Sequence, residues 1–406
     1  MSMLEGIKVL DLSRILAGPY CAAMLGDAGA DVVKVERPGR GDDLRWLRGG
    51  NGITASFASL NRNKRGIAVN LQHPEGRALA FEMAAKADVV IENFLPGETA
   101  KFGIGYGQVS AVNPGVVYAS ITGFGQSGPY ARRAGYNSVA LGMAGYMALT
   151  GMPGHPPTRP GGSLADTASA LLAFGAINAA LVGRARSGQG TYIDVSLLGS
   201  TMALVPDPVA NYFETGVRPQ RQGNTSPSVA PGEPFQARDG LVTIVLTSPE
   251  QWARFCEVLD DPSMKDDPRF RTNADRLRNH GEFKPRVEAR LAEADVAQWV
   301  ERFAARSIAV GPVYEFDQVF DDPQVQHLGL VTEIEQPGLG STHMLSPTIR
   351  TMPSGPGIRR PAPLLGQHTR EVLTEFGYDD ARIAALAESG AIEIGAGEGS
   401  PGSLQV

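Results

Sequence analysis

The sequence predicts an α/β protein in which a parallel β-sheet forms a large N-terminal domain and a smaller α+β domain follows. In the first third of the chain, short apolar runs alternate with helical segments of ten or more residues, the pattern of a parallel sheet with crossover helices. A chain of 406 residues exceeds one ordinary core, so two domains are expected. Its 42% hydrophobic and 20% charged residues are typical of a globular protein.

Each element follows from a local pattern. Short apolar or alternating runs predict strands at 7–12, 31–36, 67–71, 88–94, 116–122 and 192–198, and longer periodic segments predict helices at 19–28, 74–87 and 164–182. Pro19 occupies the first turn of the first helix, where proline is favoured. In the second part, a strand at 241–246 precedes helices at 249–259, 281–292, 296–306 and 369–376.

Composition and charge argue against several classes of protein. The net charge is −6 without a long basic run, which argues against nucleic acid as a partner. No 18-residue window is apolar enough to predict a membrane span, and the N-terminus lacks the pattern of a signal peptide. Cys21 and Cys256 lie far apart and are expected to be reduced thiols of a cytoplasmic protein. The six histidines lack metal-ligand spacing, so no metal is expected.

Asp166 stands out because it is the only carboxylate between Glu98 and Asp194, at the start of an apolar helix. A structural role is favoured by the pattern alone, since Ser163 and Asp166 have the spacing of a capping box. The alternative is a nucleophile. The helix dipole is expected to keep this acid ionised, and an ordinary aspartate pKa of about 3.9 already makes it a carboxylate at neutral pH.

Three further motifs each allow two interpretations. Residues 123–128 match G-x-G-x-x-G, but the β-α-β context of a dinucleotide site is missing, so a nicotinamide oxidoreductase is disfavoured. The cationic segment 61–65 (NRNKR) is either a solvated loop or a phosphate-binding turn. Arg37, at a strand end, is either a surface charge or a plane on which an adenine stacks.

A set of longer motifs is much more specific. They are LEGIKVLD (4–11), AGP (17–19), LGDAGADVVKVERP (25–38), NRNKR (61–65), ENF (92–94), PG (96–97), SITGFGQSGP (120–129), AGY (134–136), GQG (188–190), DPRF (267–270), DDPQ (321–324) and PLLGQH (363–368). With these motifs the chain resembles the class III CoA-transferase family, of the formyl-CoA transferase and carnitine CoA-transferase type, from about Leu4 to Leu386. The segments RILAGP (14–19) and RAGYN (133–137) look closest to members that move CoA from succinyl-CoA to a dicarboxylate.

The resemblance implies a Rossmann-like sheet in the large domain and an interlocked homodimer whose long linkers thread through the partner. The implied boundaries are 1–200 for the large CoA-binding domain, 201–225 for a linker, 226–315 for the small α+β domain, 316–390 for a second linker that returns to the large domain, and 391–406 for a disordered tail. The Gly- and Pro-rich stretch 222–232 is either an inter-domain linker or a lid over the site.

The resemblance also implies the site. The nucleophile falls on Asp166, and the CoA contacts fall on Ile15, Leu16, Arg37, Val69, Asn70, Leu71, Gln72, Asn93, Phe94, Lys101, Arg133 and Tyr136. A CoA thioester is then a substrate, together with carboxylic acids, and no permanently bound cofactor is expected. Asp166 is expected to form first an acyl anhydride and then an aspartyl-CoA thioester.

Related activities remain as alternatives to CoA transfer. An α-methylacyl-CoA racemase of the same superfamily typically has a histidine where Tyr136 stands, and a tyrosine is a poor base at neutral pH. A non-catalytic CoA-binding protein is disfavoured by the presence of Asp166. Exchange with oxalate is also disfavoured, because oxalate-using members carry glutamine at the position of Leu16.

Overall fold

The computed structural model describes residues 2–50 and 52–395, and the chain divides into two compact units. Unit 1 contains the chain up to Tyr146, Arg159–Thr215, and the described residues from Leu328 onward, whereas unit 2 contains Met147–Thr158 and Gly216–His327. The short segment Met147–Thr158 therefore belongs to unit 2 and not to the continuous first domain that the sequence predicts. The backbone amide of Gly223 donates to the carbonyl of Gly151 at 2.9 Å, which joins this segment to the rest of unit 2.

A seven-stranded sheet forms the centre of unit 1. The strands of the described chain are β1 (Lys8–Asp11), β2 (Asp31–Glu36), β3 (Lys64–Val69), β4 (Val89–Glu92), β5 (Val117–Thr122), β6 (Thr191–Ser196), β7 (Gly232–Gln236), β8 (Leu241–Val245), β9 (Ala309–Pro312), β10 (Val331–Gln336), β11 (Gly340–Leu345) and β12 (Ile392–Glu393). The sheet order is β12-β3-β2-β1-β4-β5-β6, in which β12 is antiparallel to β3 and the other neighbours are parallel. The order 3-2-1-4-5-6 is that of a Rossmann sheet, which confirms the predicted fold class.

Helices cover both faces of this sheet and build most of unit 2. In unit 1 and at its borders they are α1 (Ala17–Asp27), α2 (Ala55–Asn61), α3 (Pro74–Lys86), α4 (Glu98–Lys101), α5 (Tyr106–Val112), α6 (Asn137–Met143), α7 (Tyr146–Leu149), α8 (Leu164–Ser187), α9 (Leu197–Met202) and α10 (Pro206–Thr215), with a 3-10 helix at Asp43–Gly49. The later helices are α11 (Pro249–Val258), α12 (Ser263–Asp266), α13 (Asn273–Arg278), α14 (His280–Leu291), α15 (Val296–Ala304), α16 (Phe316–Val319), α17 (Pro323–Leu328), α18 (Thr369–Glu375) and α19 (Asp380–Glu388).

Helix α8 is apolar enough to correct one prediction. It is 24 residues long with a mean hydropathy of 1.5, so its length and composition alone would allow a membrane span, contrary to the sequence prediction. Ala165, Ala170, Ala173 and Ile177 are nevertheless fully buried, and the helix packs against α1, α9, β5 and β6. One face of the helix is therefore used in the packing of unit 1, whereas Leu171, Leu172 and Val182 are about half exposed.

Two segments assigned as linker and tail contain regular structure. Helix α10 lies within the predicted linker 201–225, and unit 1 includes it. The predicted tail starts too early, because Ile392 and Glu393 pair with Val69 and Ala68 of β3 at the edge of the sheet. The rest of that tail, 396–406, lies outside the described residues.

Unit 2 has its own core, as expected for the smaller α+β domain. Strands β7, β8 and β9 form an antiparallel sheet. Helices α11, α14 and α15 contribute large side chains that are almost completely buried, among them Trp252, Phe255, Phe283, Trp299 and Phe303. These aromatic side chains account for much of the apolar surface that unit 2 removes from water.

Candidate active site

The carboxyl ends of the parallel strands form the edge of the sheet where a ligand is expected. The strand order reverses between β1 and β4, and open α/β sheets bind ligands outside the carboxyl ends at such a switch point. Two clefts lie here. The first, named the Asp166 cleft, has a volume of about 420 Å³ and is lined by residues that follow β1, β4, β5 and β6, together with Asp166 of α8.

The second cleft, named the Arg37 cleft, follows the ends of β1, β2, β3 and β4 and has a volume of about 340 Å³. Arg14 and Phe94 line both clefts. A ligand can therefore extend from one to the other past these two side chains. The combined space suits a long molecule with one end at Asp166.

Most of the predicted site residues meet in these two clefts. The Asp166 cleft contains Asp166, Ile15, Leu16, Asn93, Phe94, Arg133 and Tyr136. The Arg37 cleft contains Arg37, Val69, Asn70, Leu71, Gln72 and Phe94. Lys101 lines neither cleft, because helix α4 directs its ammonium group to Glu98 one turn earlier, at 2.5 Å. The sequence did not identify Arg14, Asp43 and Thr122, which also line the Asp166 cleft.

Asp166 does not take part in a capping box at the start of helix α8. Ser163 precedes the helix but makes no capping hydrogen bond with its side chain. The first turn is instead capped by Asn137, whose side-chain oxygen accepts a hydrogen bond from the backbone N–H of Ala165 at 2.9 Å. The predicted capping box is therefore wrong, since a residue distant in sequence performs its function.

The environment of the Asp166 carboxylate makes it more basic than an ordinary aspartate. None of the described residues donates a hydrogen bond to it, and burial raises its pKa to about 6. The loss of hydration on burial therefore outweighs any lowering of the pKa by the helix dipole, yet the group stays mainly ionised at neutral pH, as expected from the sequence. Roughly nine-tenths of the group is still ionised at pH 7, given that each unit of pH changes the ratio tenfold. A carboxylate of raised pKa and without donors is suited to nucleophilic attack.

The loop after β1 has an unusual backbone at the site. Ile15 has a φ of +69°, a left-handed conformation that is rare for a β-branched residue. Its backbone N–H donates to the carboxylate of Asp42, with 3.1 Å to each oxygen. Lys34 lies 3.2 Å from the same carboxylate, and both side chains are buried. A buried ion pair therefore holds a strained loop in position at the wall of the Asp166 cleft.

The cationic segment 61–65 is neither a solvated loop nor a phosphate-binding turn. All five side chains are buried and bonded within unit 1. Arg62 pairs with Asp27 at 2.6 Å, and Arg65 pairs with Asp31 at 2.6 Å. Lys64 lies 2.8 Å from the carboxylate of Asp11 and donates to Pro19 and Asn61. Both interpretations made from the sequence are wrong, because the acidic partners come from other elements of the fold.

The G-x-G-x-x-G match has a steric role. A Cβ atom on Gly123 would lie 2.6 Å from the Cα of Gly135, and one on Gly135 would lie 2.5 Å from the Cα of Gly123. The two glycines thus allow the turn 131–136 to approach the end of β5 closely, which brings Arg133 and Tyr136 to the Asp166 cleft. The next helix, α6, begins only at Asn137, so the motif does not open a helix as a dinucleotide site requires.

Comparison with known proteins agrees with this geometry. The sequence profile of CoA-transferase family III matches residues 4–369. The succinyl-CoA:glutarate CoA-transferase of Mus musculus is 41% identical over 97% of this chain and 91% of its own length. The succinate–glutarate CoA-transferase of Agrobacterium fabrum is 36% identical over 92% of this chain and 95% of its own length.

A solved structure gives the same result for the fold. The CaiB/BaiF family protein of Brucella suis superposes with a TM-score of 0.83 at 35% identity, covering 92% of this chain and 99% of that protein. The match extends over nearly the whole length of both proteins. The chain therefore belongs to CoA-transferase family III and is an enzyme that transfers CoA.

Proposed function

We propose that this enzyme moves CoA from succinyl-CoA to a dicarboxylate such as glutarate, with Asp166 as the nucleophile. The observation that carries the proposal is a carboxylate without hydrogen-bond donors, of raised pKa, in a cleft at the switch point of the sheet. The substrates are inferred from the relatives named for succinyl-CoA, succinate and glutarate.

The proposed reaction uses the Asp166 carboxylate twice. An oxygen of Asp166 attacks the thioester carbonyl carbon of the donor, the C–S bond breaks, and CoA leaves as the thiolate. The product is a mixed anhydride. The thiolate then attacks the Asp166 carbonyl carbon of this anhydride, which releases the donor acid and leaves an aspartyl-CoA thioester. Each step exchanges one leaving group for another, so a difficult exchange is divided into easier ones.

The acceptor acid completes the cycle by the reverse steps. Its carboxylate attacks the aspartyl-CoA carbonyl carbon and expels CoA thiolate, which forms a second anhydride. The thiolate attacks the acceptor's acyl carbon, and the Asp166 carboxylate is released unchanged. No proton is taken up or lost in the cycle. Because an anhydride reacts readily with water, the reaction requires that water is kept away from Asp166 while the intermediate exists.

The two clefts are proposed to hold the two ends of the CoA thioester. The thioester lies in the Asp166 cleft, and the nucleotide lies in the Arg37 cleft, in contact with Val69, Asn70, Leu71 and Gln72. The Nε of Arg37 donates to the carbonyl of Gly41 at 3.0 Å, and a terminal nitrogen pairs with Asp43. These bonds lie in the plane of the guanidinium and leave its face available for an adenine ring.

The active assembly is proposed to be an interlocked homodimer in the cytoplasm. Several large apolar side chains are almost fully exposed in the single chain, with Phe213 at 80%, Phe316 at 82% and Met352 at 96%. A second copy that covers them removes this apolar surface from water. Cys21 and Cys256 are buried and unpaired, which supports a reducing compartment. A monomeric mass in solution contradicts the dimer.

The pH dependence of the reaction is expected to follow the pKa of Asp166. Only the carboxylate is a nucleophile, so kcat/KM should be constant above about pH 7 and fall tenfold per unit below about pH 6. Exchange of CoA between succinyl-CoA and glutarate is measured from pH 4.5 to 8.5. Samples returned from pH 5 to pH 7.5 must regain full activity, which separates titration from unfolding. A rate that stays constant down to pH 5 contradicts the assignment.

Asp42, which also lines the Arg37 cleft, is expected to affect catalysis through the loop that it holds. In Asp42→Asn the ion pair with Lys34 is lost, and the strained backbone at Ile15 loses the carboxylate that holds it. We expect a loss of about 2–4 kcal/mol in unfolding free energy and an increase in KM for the acyl-CoA of about tenfold. The control is Asp27→Asn, which breaks the buried pair with Arg62 outside both clefts. The control should lose similar stability but keep its KM when assayed well below its melting temperature.

The general test of the proposal is a mass-spectrometric exchange screen. Succinyl-CoA is incubated with a panel of mono- and dicarboxylates, and new CoA thioesters are identified by mass. A chiral 2-methylacyl-CoA in deuterated water serves as the test for racemase activity. Exchange without α-deuteration supports the transferase, whereas α-deuteration without exchange supports the racemase. If no acid in a broad panel accepts CoA, the proposed function is wrong.

A further inference from the structure

Arg14 combines a fixed backbone with an uncommitted side chain. Its backbone N–H donates to the side-chain oxygen of Asn93 at 2.9 Å, and the side-chain nitrogen of Asn93 donates to the carbonyl of Arg14 at 2.7 Å. Both backbone groups are therefore held by one side chain from the end of the neighbouring strand β4. The backbone of Arg14 is fixed at the point where the Asp166 cleft and the Arg37 cleft meet.

The guanidinium group of Arg14 is by contrast little used. Its side chain is 53% exposed, and its charged neighbour among the described residues is Asp43, at 3.9 Å. This distance is too long for a hydrogen bond. Asp43 is already paired with Arg37 and lies 3.5 Å from Arg40, so Arg14 is not needed to balance its charge. The donors of Arg14 are therefore free to bind an anion in the cleft.

The other arginine of the Asp166 cleft is in a different position. The guanidinium carbon of Arg133 lies 3.9 Å from the ring centre of Tyr130, so this side chain is stacked on an aromatic face. Arg14 and Arg133 are the cations among the residues that line this cleft, where Asp43 and Asp166 are the acids. Of the two arginines, Arg14 is the one that also lines the second cleft, and its side chain makes no hydrogen bond to any of the described residues.

We propose that Arg14 binds the distal carboxylate of a dicarboxylic substrate while the other carboxylate reacts at Asp166. A guanidinium presents a planar fork of donors that matches a carboxylate with two parallel hydrogen bonds. A dicarboxylate entering this cleft brings two negative charges next to the Asp166 carboxylate, and Arg14 offsets one of them. This inference rests on the proposed function, because it gives a role to a second charge on the acid that accepts CoA.

The experiment compares two acceptors that differ in the distal charge. Glutarate and its monoamide have nearly the same shape, but the monoamide carries a neutral amide at the distal end. In the wild-type enzyme we expect kcat/KM to be about 10- to 100-fold higher for glutarate, the value of one or two hydrogen bonds to a charged group. In Arg14→Gln this ratio should fall to within about threefold of one, mainly through a higher KM for glutarate.

Two further variants make the test specific. Arg14→Lys keeps the charge but loses the fork, so it should recover part of the ratio. Arg133→Gln is the matched control and should leave the ratio within about threefold of the wild-type value, since its guanidinium is stacked on Tyr130. Free CoA should bind to Arg14→Gln with an affinity within about threefold of the wild-type value. Because the side chain of Arg14 is exposed, Arg14→Gln should keep the melting temperature of the wild-type enzyme, and this measurement excludes misfolding.

The results separate the inference from the proposed function. If Arg14→Gln binds CoA more weakly but keeps the wild-type preference for glutarate over its monoamide, Arg14 contacts a phosphate of CoA and the proposal is overturned. It is also overturned if Arg133→Gln removes the preference in place of Arg14→Gln, or if the wild-type enzyme uses both acceptors equally well. In each of these cases the enzyme still transfers CoA. Only a wild-type enzyme that uses no acid at all contradicts the proposed function itself.

Discussion

Asp166→Asn is expected to reduce CoA exchange by about 10⁴-fold or more, the order of loss seen when a covalent nucleophile is removed. An amide cannot attack the thioester or form the anhydride, and no other carboxylate lining the Asp166 cleft is free, because Asp43 is paired with Arg37. The rate is measured by the appearance of glutaryl-CoA from succinyl-CoA and glutarate. In the wild-type enzyme, hydroxylamine added during turnover should leave a hydroxamate on the peptide that contains Asp166.

The variant should still fold and bind CoA. Burial raises the pKa of Asp166, so the folded protein binds more protons than the unfolded chain between about pH 4 and pH 6. The charged group therefore destabilises the folded protein above this range, and Asp166→Asn should melt at the wild-type temperature or higher at pH 7.5. Asp266→Asn, an exposed acid of unit 2, is the control and should keep full activity. An active Asp166→Asn enzyme, or an unlabelled Asp166 peptide, excludes the covalent mechanism.

The sheet could be predicted because its signal is local. Strand β2 has the predicted bounds, since three valines among six residues indicate a strand without information from the rest of the chain. The hairpin of β10 and β11 was missed because its strands mix charged and apolar residues and are only partly buried. Helix α10 was missed although Val209, Tyr212 and Phe213 recur at helical spacing, because the segment that contains it was interpreted as a linker.

The site was predictable only to the extent that it follows from strand ends and the family resemblance. Asp166 could be singled out because it is isolated among apolar residues, but its raised pKa depends on burial that no local pattern reports. The role of Asn137 as a cap, 28 residues before Ala165, is equally invisible in the sequence. Arg14 lies three residues after the end of β1, yet its importance rests on the absence of a hydrogen-bonding partner for its side chain among the described residues, which only the three-dimensional structure reveals.

Charged residues in the core were the least predictable feature. The segment 61–65 looks like a surface loop because charge runs usually are solvated. Its partners lie far away in sequence: Asp11 and Asp27 precede it by dozens of residues, and Glu371 and Glu375 follow it by about three hundred. Only the fold brings them together, so their pairing cannot be read from the segment itself.

Breaking the buried pair between Lys64 and Asp11 is expected to have the largest effect on stability. Both side chains are fully buried, and Lys64 also donates to the carbonyl of Pro19 and to Asn61 at 2.8 and 2.9 Å. Lys64→Met should therefore lower the free energy of unfolding by about 3–5 kcal/mol, because Asp11 is left as a buried charge without its main partner. Unfolding in urea, followed by far-UV circular dichroism at pH 7.5, measures the loss.

The control is Lys86→Met, which breaks an exposed ion pair with Glu82 and should cost less than about 0.5 kcal/mol. A double variant, Lys64→Met with Asp11→Leu, should recover part of the loss, since an apolar pair of similar volume leaves no uncompensated charge. Full recovery is not expected. Asp11 also accepts a hydrogen bond from the backbone of Ser13 at 3.0 Å, which links the network to the loop that carries Arg14 and Ile15.

The hydrogen bond between Asp11 and the backbone of Ser13 predicts that the double variant will recover stability but not activity. Although burial alone raises the pKa of Asp11, the nearby Lys64 and Lys34 lower it overall, so the acid is ionised and can hold the loop. The double variant should therefore regain stability without regaining a normal KM for the acyl-CoA, because Ser13 has lost its acceptor. If the double variant recovers both, the buried charges serve only to stabilise the fold, and the loop position depends on Asp42 and Asn93 alone.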